Sequence, residues 1–205
     1  MAVRDNSTVS ERGDAEPAPL VEQLGRAFDA VAALIGNIRA DQWSAPTPCP
    51  DWTVRQVVNH LIGMNRVFVA LLAGQPPPPR PSADQVEDDP AGAYRDSAAA
   101  LLAAFGRPGV LERSYHGPLG TATGAERLQI RLYDLLAHGW DLAQATEQPA
   151  GLHDDLAEQS LAFARTQLTG QARPGRFGPA QSVAEQAPAI ERLAAFLGRP
   201  VNPGR

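Results

Sequence analysis

The sequence has 205 residues, of which 43% are hydrophobic and 20% are charged, and its formal net charge is −5. A chain of this length can bury about 70% of its surface in one domain and fold without disulfides. All 18 basic residues are arginines, which excludes lysine Schiff-base chemistry and a lysine-containing phosphate-binding loop. The acidic balance also argues against nucleic acid as the main partner, because phosphate backbones usually require a basic face.

The single cysteine, Cys49, excludes an intramolecular disulfide and favours a reducing compartment. The first 19 residues have no apolar segment of the kind found in secretory signals. Apolar runs elsewhere are interrupted well before the roughly 18 residues that a membrane span requires. We therefore expect a cytoplasmic protein without a membrane partner.

The first part of the chain predicts a polar tail followed by helix. Residues 1–17 are polar and are expected to be disordered, residues 18–200 to form a helical domain, and residues 201–205 to form a short tail. Apolar residues at three- and four-residue steps predict a first amphipathic helix from Leu20 to about Ala40.

A proline-rich loop over residues 44–52 separates this helix from the next one. The second helix is expected to start at Thr53, where a T-x-x-Q capping box satisfies the first free backbone N–H groups, and to stop at Gly74. Residues 75–90, with four consecutive prolines, are predicted to form an extended linker.

The remaining chain is also dominated by helical patterns. Four further helices are predicted, over residues 90–105, 123–146, about 152–168 and about 185–197. Residues 106–124 are expected to form a short loop or β-like turn, and no segment alternates as a regular strand does. The predicted fold class is all-α, a bundle in which residues 75–90 and 169–184 are long crossovers.

Three titratable residues lie on one stripe of the fourth predicted helix. His138 and Asp141 follow Asp134 at i+4 and i+7, which places them within about 40° of it around the axis. Polar side chains beside leucines need partners, and a divalent cation would satisfy an imidazole and a carboxylate one turn apart. Asp141 could hold the imidazole in its ligating tautomer. His60, within the apolar second helix, would complete a set of two histidines and one carboxylate.

The same residues have a plainer interpretation. A histidine within a helix is more often a hydrogen-bonded core residue than a ligand, and Asp134 could pair with Arg131 or Arg127 on its own helix. Cys49 is better explained as a structural thiol than as a ligand or nucleophile, since no basic neighbour lowers its pKa. Trp52 and Trp140 are better explained as core anchors than as stacking platforms.

Two segments together resemble a known family. The stretches TPCPDWTVRQVVNHLIGMNRVF (47–68) and RLYDLLAHGWDLAQAT (131–146) are similar to the metal-binding domain of mycothiol-dependent maleylpyruvate isomerases, which are DinB-like four-helix bundles. The ending APAIERLAAFLGRP (187–200) resembles that of a single-domain actinobacterial branch. The resemblance implies a DinB-like four-helix bundle with extra helices and long crossover loops.

The resemblance also implies a ligand set. The histidine after the W-T-V segment corresponds to His60, and the acid and histidine of the later helix correspond to Asp134 and His138. Zinc is the metal usually assigned to the family, although nickel, iron and manganese suit the same ligands. The isomerase typically has Glu at the position of Asp134, and it carries a C-terminal domain for which this chain is too short.

These features predict a protein that binds a divalent metal. They also predict a thiol-dependent transferase or isomerase, in which a metal-bound thiolate of mycothiol type attacks an electrophilic small molecule. Arg113 or Arg127 is expected to bind a substrate carboxylate. The alternatives are a hydrolase or specialised-metabolism enzyme that uses metal-bound water, and a non-enzymatic small-molecule or metal-binding module. Apolar faces on the first and last helices could support a homodimer.

Overall fold

The structure is a computed structural model that describes residues 19–79, 88–117, 120–168 and 177–201. The polar tail predicted over residues 1–17 and all but the first residue of the tail over 201–205 lie outside these ranges. Parts of both predicted crossover segments also lie outside them.

The described residues form six α-helices and one small sheet. The elements are α1 (Leu20–Gly36), a 3-10 turn (Ala40–Gln42), α2 (Val54–Leu72), α3 (Pro90–Phe105), β1 (Ser114–Gly117), β2 (Gly120–Thr123), α4 (Gly124–Thr146), α5 (Asp154–Gln167) and α6 (Ala189–Phe196). The predicted all-α fold class is therefore confirmed, because the only strands in these ranges form one short antiparallel pair.

The first four helices make a closed ring of packed neighbours. Helix α1 packs against α3 and α4, and α2 packs against the same two helices from the opposite side. Helices α5 and α6 pack together and cover the remaining side of α4. Helix α4 is thereby the central element of the fold, and any polar side chain in its middle must find partners inside the protein.

Two capping boxes fix where the central helices begin. The Thr53 hydroxyl accepts a hydrogen bond from Gln56 N, and the Gln56 side chain accepts one from Thr53 N. Thr123 and Glu126 make the same reciprocal pair at the start of α4. Both starts agree with the pattern in the sequence, because each box satisfies two N–H groups that the helix leaves free.

The structure corrects two predicted boundaries and gives the predicted loop or β-like turn over residues 106–124 its detail. Helix α1 ends at Gly36 rather than near Ala40, and the chain continues into the 3-10 turn. Helix α6 begins at Ala189 rather than at 185, because Pro188 has no N–H and disfavours helical geometry in the residue before it. The Gly-rich segment contains a hairpin, β1–β2, in which Ser114 lies opposite Thr123.

The apolar face of α1 is buried within the chain. Its Leu24, Val31 and Leu34 side chains are at most 4% exposed. At the contact with α4, a Cβ added to Gly139 would lie 2.9 Å from Val31 Cγ2, so the two helices approach closely. These side chains of α1, and Leu193 on α6, are thus packed within the chain, and a homodimer through the first and last helices stays a prediction.

Among the described residues, no helix combines the length and apolar character that crossing a bilayer requires.

Candidate metal centre

Three predicted ligands converge where α2 packs against α4. His60 comes from α2, and Asp134 and His138 come from successive turns of α4. The Nε2 atom of each imidazole lies 3.6 Å from Asp134 Oδ1. One ligand atom from each of the three residues therefore falls within a space 4.8 Å across, which a single metal ion could share.

The hydrogen bonding of the two histidines supports a cation between them. His138 Nδ1 lies 2.9 Å from Asp141 Oδ2, so its hydrogen belongs on Nδ1 and its Nε2 carries a lone pair. His60 Nε2 is buried without a hydrogen-bond partner. A lone pair and an unpartnered nitrogen facing one carboxylate oxygen are costly unless a positive charge satisfies them. The residues present thus fit a divalent metal.

Arg131 holds the other oxygen of the acid. Its guanidinium contacts Asp134 Oδ2 at 2.6 Å, Asn65 Oδ1 at 2.9 Å and the Leu61 carbonyl at 3.1 Å. The Arg131 side chain is completely buried. The plainer interpretation of Asp134 as a partner of Arg131 therefore holds for Oδ2, while Oδ1 remains directed at the imidazoles.

The electrostatics of this group keep the acid ionised and the His60 imidazole neutral. Burial on its own raises the pKa of a carboxyl, but the two imidazoles and the Arg131 guanidinium hold the pKa of Asp134 well below its ordinary value. Burial lowers the pKa of His60, against the opposing effect of Asp134. An ionised carboxylate and neutral imidazoles are the protonation states that ligate metals.

Asp141 and Arg199 hold His138 through its Nδ1 atom, on the side of the ring opposite the centre. Asp141 is fully buried and accepts hydrogen bonds from Arg199 as well as from the imidazole. Burial raises the pKa of a carboxyl, yet the bonds to His138 and Arg199 lower the pKa of Asp141 overall. The predicted role of Asp141 in orienting His138 has this geometry behind it.

The proline-rich loop before α2 forms one wall of the centre. Thr47 Oγ1 and the Thr47 N–H both bond the Trp52 carbonyl, and the Trp52 N–H bonds the Cys49 carbonyl. The indole of Trp52 stacks on the His138 ring at 5.5 Å with an interplanar angle of 15°, and it lies 4.7 Å from the His60 ring. Trp52 is therefore a half-buried wall of the site rather than the core anchor predicted, whereas Trp140 is 4% exposed and lies in the core.

Cys49 lies at the edge of the same centre. A single ion could also be reached from Cys49, His138 and Asp141, but Arg199 and the imidazole already occupy Asp141. Burial, followed by the charge of Asp141, raises the pKa of the Cys49 thiol to about 11. The thiol is consequently protonated at neutral pH, as expected for a structural cysteine.

A comparison with protein families finds one match that covers these residues. The model of the family described as "Mycothiol maleylpyruvate isomerase N-terminal domain" matches residues 24–143. The chain belongs to this family. The match runs from the first turns of α1 to the last turn of α4 and includes all three candidate ligands and Asp141, whereas Arg199 lies beyond its end.

Relatives of the chain come from Mycobacterium tuberculosis. The uncharacterized protein Rv0738 of strain H37Rv is 39% identical over 181 residues, which cover 86% of this chain and 96% of that protein. The uncharacterized protein MT0763 of strain CDC 1551 matches to the same extent. The uncharacterized protein Rv0036c is 34% identical over 61 residues, 30% of this chain and 24% of its own length. No solved structure matches the chain.

Of the two arginines predicted to bind a substrate carboxylate in this member of the mycothiol maleylpyruvate isomerase family, Arg127 bonds the hairpin instead. Arg127 is buried, and its guanidinium donates to the Tyr115 carbonyl at 3.1 Å and the Gly120 carbonyl at 2.5 Å. It lies seven residues before Asp134 on α4, which is about 10 Å along the helix axis. Arg113 is exposed just before β1. The structure thus gives Arg127 a role in holding the hairpin.

Sequence reasoning missed Asn65 and Arg199. Asn65 is completely buried on α2, where it links Arg131 to the Ser97 hydroxyl. Its spacing of five residues from His60 does not place the two side chains on one helix face, so the sequence pattern did not indicate Asn65 as a site residue. Arg199 follows α6, 58 residues after Asp141, and only the folded chain brings the two together.

Proposed function

We propose that this chain binds one divalent metal through His60 Nε2, Asp134 Oδ1 and His138 Nε2. The observation that carries the proposal is the convergence of both imidazoles on one carboxylate oxygen at 3.6 Å. Three protein ligands with open coordination positions are the pattern of catalytic rather than structural sites. Zinc fits two neutral imidazoles and one carboxylate, and we propose it as the metal, with nickel, iron and manganese as competitors for the same donors.

The proposed activity is a thiol-dependent transfer or isomerisation with a low-molecular-weight thiol of mycothiol type. When bound, the metal would supply a Lewis acid that lowers the pKa of the thiol sulfur toward neutrality. Family membership supports this thiol as the partner. The second substrate would be an electrophilic small molecule that the sulfur attacks.

The residues of the chain define the direction from which both substrates would reach the centre. His60 and Asp134 keep 24% and 17% of their side-chain surface exposed, whereas His138 keeps only 5%. Substrates would therefore approach from the side of His60 and Asp134, whose side chains keep the larger exposed fractions. Trp52 shields the imidazoles on the adjoining side, which limits access of water to the reacting atoms.

Elemental analysis of protein purified without a histidine tag tests the metal site. We expect near one equivalent of metal in the wild type and little in His60→Ala and His138→Ala. His116→Ala is the matched control, because His116 is exposed on the hairpin and bonds Thr121 instead. Absence of metal from the wild type after supplementation with zinc, or its retention in both ligand variants, would contradict the proposal.

Thiol dependence tests the proposed chemistry. The metal-loaded protein should consume an electrophile such as maleylpyruvate, or a nitro-activated chloroarene that loses chloride to the attacking sulfur, only when mycothiol is present, and His60→Ala should be inactive. Turnover that proceeds equally without any thiol would contradict the transferase proposal and indicate the hydrolytic alternative.

A further inference from the structure

Arg199 is a buried cation delivered to the metal centre by the C-terminal segment. Its guanidinium bonds both oxygens of Asp141, from Nε to Oδ1 at 3.3 Å and from NH2 to Oδ2 at 2.9 Å. Arg199 is 4% exposed, and the Asp141 side chain is fully buried. A charge pair of this kind, enclosed by protein, is more strongly coupled than a surface ion pair.

Contacts within the C-terminal segment hold the Arg199 guanidinium in position. Arg199 NH1 donates to the Leu197 carbonyl at 3.0 Å, and the guanidinium carbon lies 5.7 Å from the centre of the Phe177 ring. Gly198 adopts a φ of +89°, and a Cβ there would lie 2.8 Å from Gly178 Cα. Only glycine permits both the positive φ at residue 198 and the close contact with Gly178. The backbone immediately before Arg199 is therefore restricted to one conformation.

We propose that Arg199 is a positioning residue of the metal centre that acts through Asp141 on His138. By bonding both carboxylate oxygens, Arg199 stops Asp141 from rotating and fixes Oδ2 as the acceptor for His138 Nδ1–H. The imidazole is thereby held with its Nε2 lone pair toward Asp134 and His60. This inference rests on the proposed metal site, and it makes residues 177–201, beyond the family match, part of that site.

Metal affinity and the state of the imidazole test the inference together. Arg199→Met should weaken zinc binding about 10- to 100-fold in competition with a chelator, as for other supports of metal-ligating histidines. It should also change the Co²⁺ absorption spectrum, and ¹⁵N NMR of the metal-free protein should show His138 losing its single Nδ1–H tautomer. Arg199→Lys keeps the charge but cannot span both oxygens, so it should recover part of the affinity.

The chain offers a matched control in Arg192. It lies on α6, pairs with Glu158 on α5 and is partly exposed. Arg192→Met removes an ion pair from the same C-terminal region without touching Asp141. It should leave zinc affinity, the Co²⁺ spectrum and the His138 tautomer unchanged, and a loss equal to that of Arg199→Met would show a merely structural effect.

A double variant distinguishes action through Asp141 from general destabilisation. If Arg199 acts through Asp141, adding Arg199→Met to Asp141→Asn should weaken zinc binding by less than about threefold, because coupled changes are not additive. A loss equal to the product of the two single effects would overturn the inference. The double variant buries no unpaired carboxylate. If Arg199→Met fails to fold, the double variant can therefore still be compared with Asp141→Asn.

The inference and the proposed function fail in different ways. Zinc affinity unchanged by Arg199→Met, in an assay where the wild type binds zinc, overturns the inference alone. A wild type that binds no metal overturns the proposed function. In that case the NMR measurement still decides the role of Arg199, because an unchanged His138 tautomer in Arg199→Met would reject it.

Discussion

Replacement of Arg131 by Met removes the cation buried deepest in the centre. The Arg131 side chain is completely buried, and its three contacts are a carboxylate, an amide oxygen and a backbone carbonyl. Met preserves most of the aliphatic volume but donates no hydrogen bond. Asp134 would then keep its charge with one oxygen unpartnered, and the oxygens of Asn65 and Leu61 would lose their donor.

The expected loss of stability follows from the three contacts that Arg131→Met removes. Breaking a buried ion pair by removing one partner typically lowers the free energy of unfolding by about 3–5 kcal/mol. Each neutral acceptor left without a donor adds about 1 kcal/mol or more. Asp134 retains 17% exposure, so water can replace part of the lost bonding, and we expect a total of about 4 kcal/mol. For a chain of this length, that corresponds to a fall in Tm of roughly 8–16 °C.

Thermal and urea unfolding of the metal-free protein measure this loss. Arg26→Met is the matched control, since Arg26 also makes a two-pronged ion pair, with Asp155, but the two side chains are 35% and 54% exposed. Exposed pairs contribute about 0–1 kcal/mol. Equal losses of stability in the two variants, or a loss below about 1 kcal/mol for Arg131→Met, would refute the reasoning from burial.

Three further predictions concern single residues. With the pKa of Cys49 raised to about 11, iodoacetamide should alkylate the folded chain at pH 7.5 about 100-fold more slowly than the chain in urea; equal rates by mass spectrometry would contradict this. Because burial lowers the pKa of His60 below its ordinary 6.5, acid favours the unfolded state, and the Tm of the metal-free protein should fall as pH decreases below about 6.5. His60→Gln should reduce this decrease in Tm, and an identical dependence of Tm on pH in the two proteins would contradict the prediction. Gly139→Ala should lower stability by about 1–2 kcal/mol because its Cβ would meet Val31 Cγ2 at 2.9 Å, whereas Gly36→Ala, with open space around it, should not.

The fold was predictable where local chemistry determines it. The capping boxes at Thr53 and Thr123 mark helix starts through groups only three residues apart, and the structure begins both helices there. The hairpin β1–β2 was predictable only as a loop or β-like turn, because its strands have four residues each and no clean alternation of buried and exposed residues. Its position depends on Arg127, which reaches its carbonyls from the following helix.

The candidate centre was predictable to the extent that it lies on one helix. Asp134, His138 and Asp141 share a stripe of α4 because helical geometry places i, i+4 and i+7 together. His60 was a candidate because it is a histidine within an apolar helix, but the packing of α2 against α4 that brings it to the centre is not determined by any local pattern. Arg199 is set by tertiary packing across 58 residues of chain, so no local pattern could indicate it.

The charges around the centre bear on which partner the metal would accept. Two carboxylates, the partly exposed Asp134 and the fully buried Asp141, are each matched by a buried guanidinium, from Arg131 and Arg199. His60 is neutral at neutral pH, and so is the Cys49 thiol. The charges of the two carboxylates and the two guanidinium groups therefore cancel, and they would leave the double positive charge of a divalent ion uncompensated in a mostly buried space.

That imbalance favours an anionic partner in the open coordination positions. A thiolate would neutralise part of the charge, and a neutral ligand such as a thioether would not. In a centre where both carboxylates stayed unpaired, the metal would be neutralised by the protein and would lower the pKa of an incoming thiol less. In the proposed function, the two arginines would therefore act in two ways: they would hold the α4 ligands in place, and they would leave the charge of a bound metal available to the sulfur of the thiol.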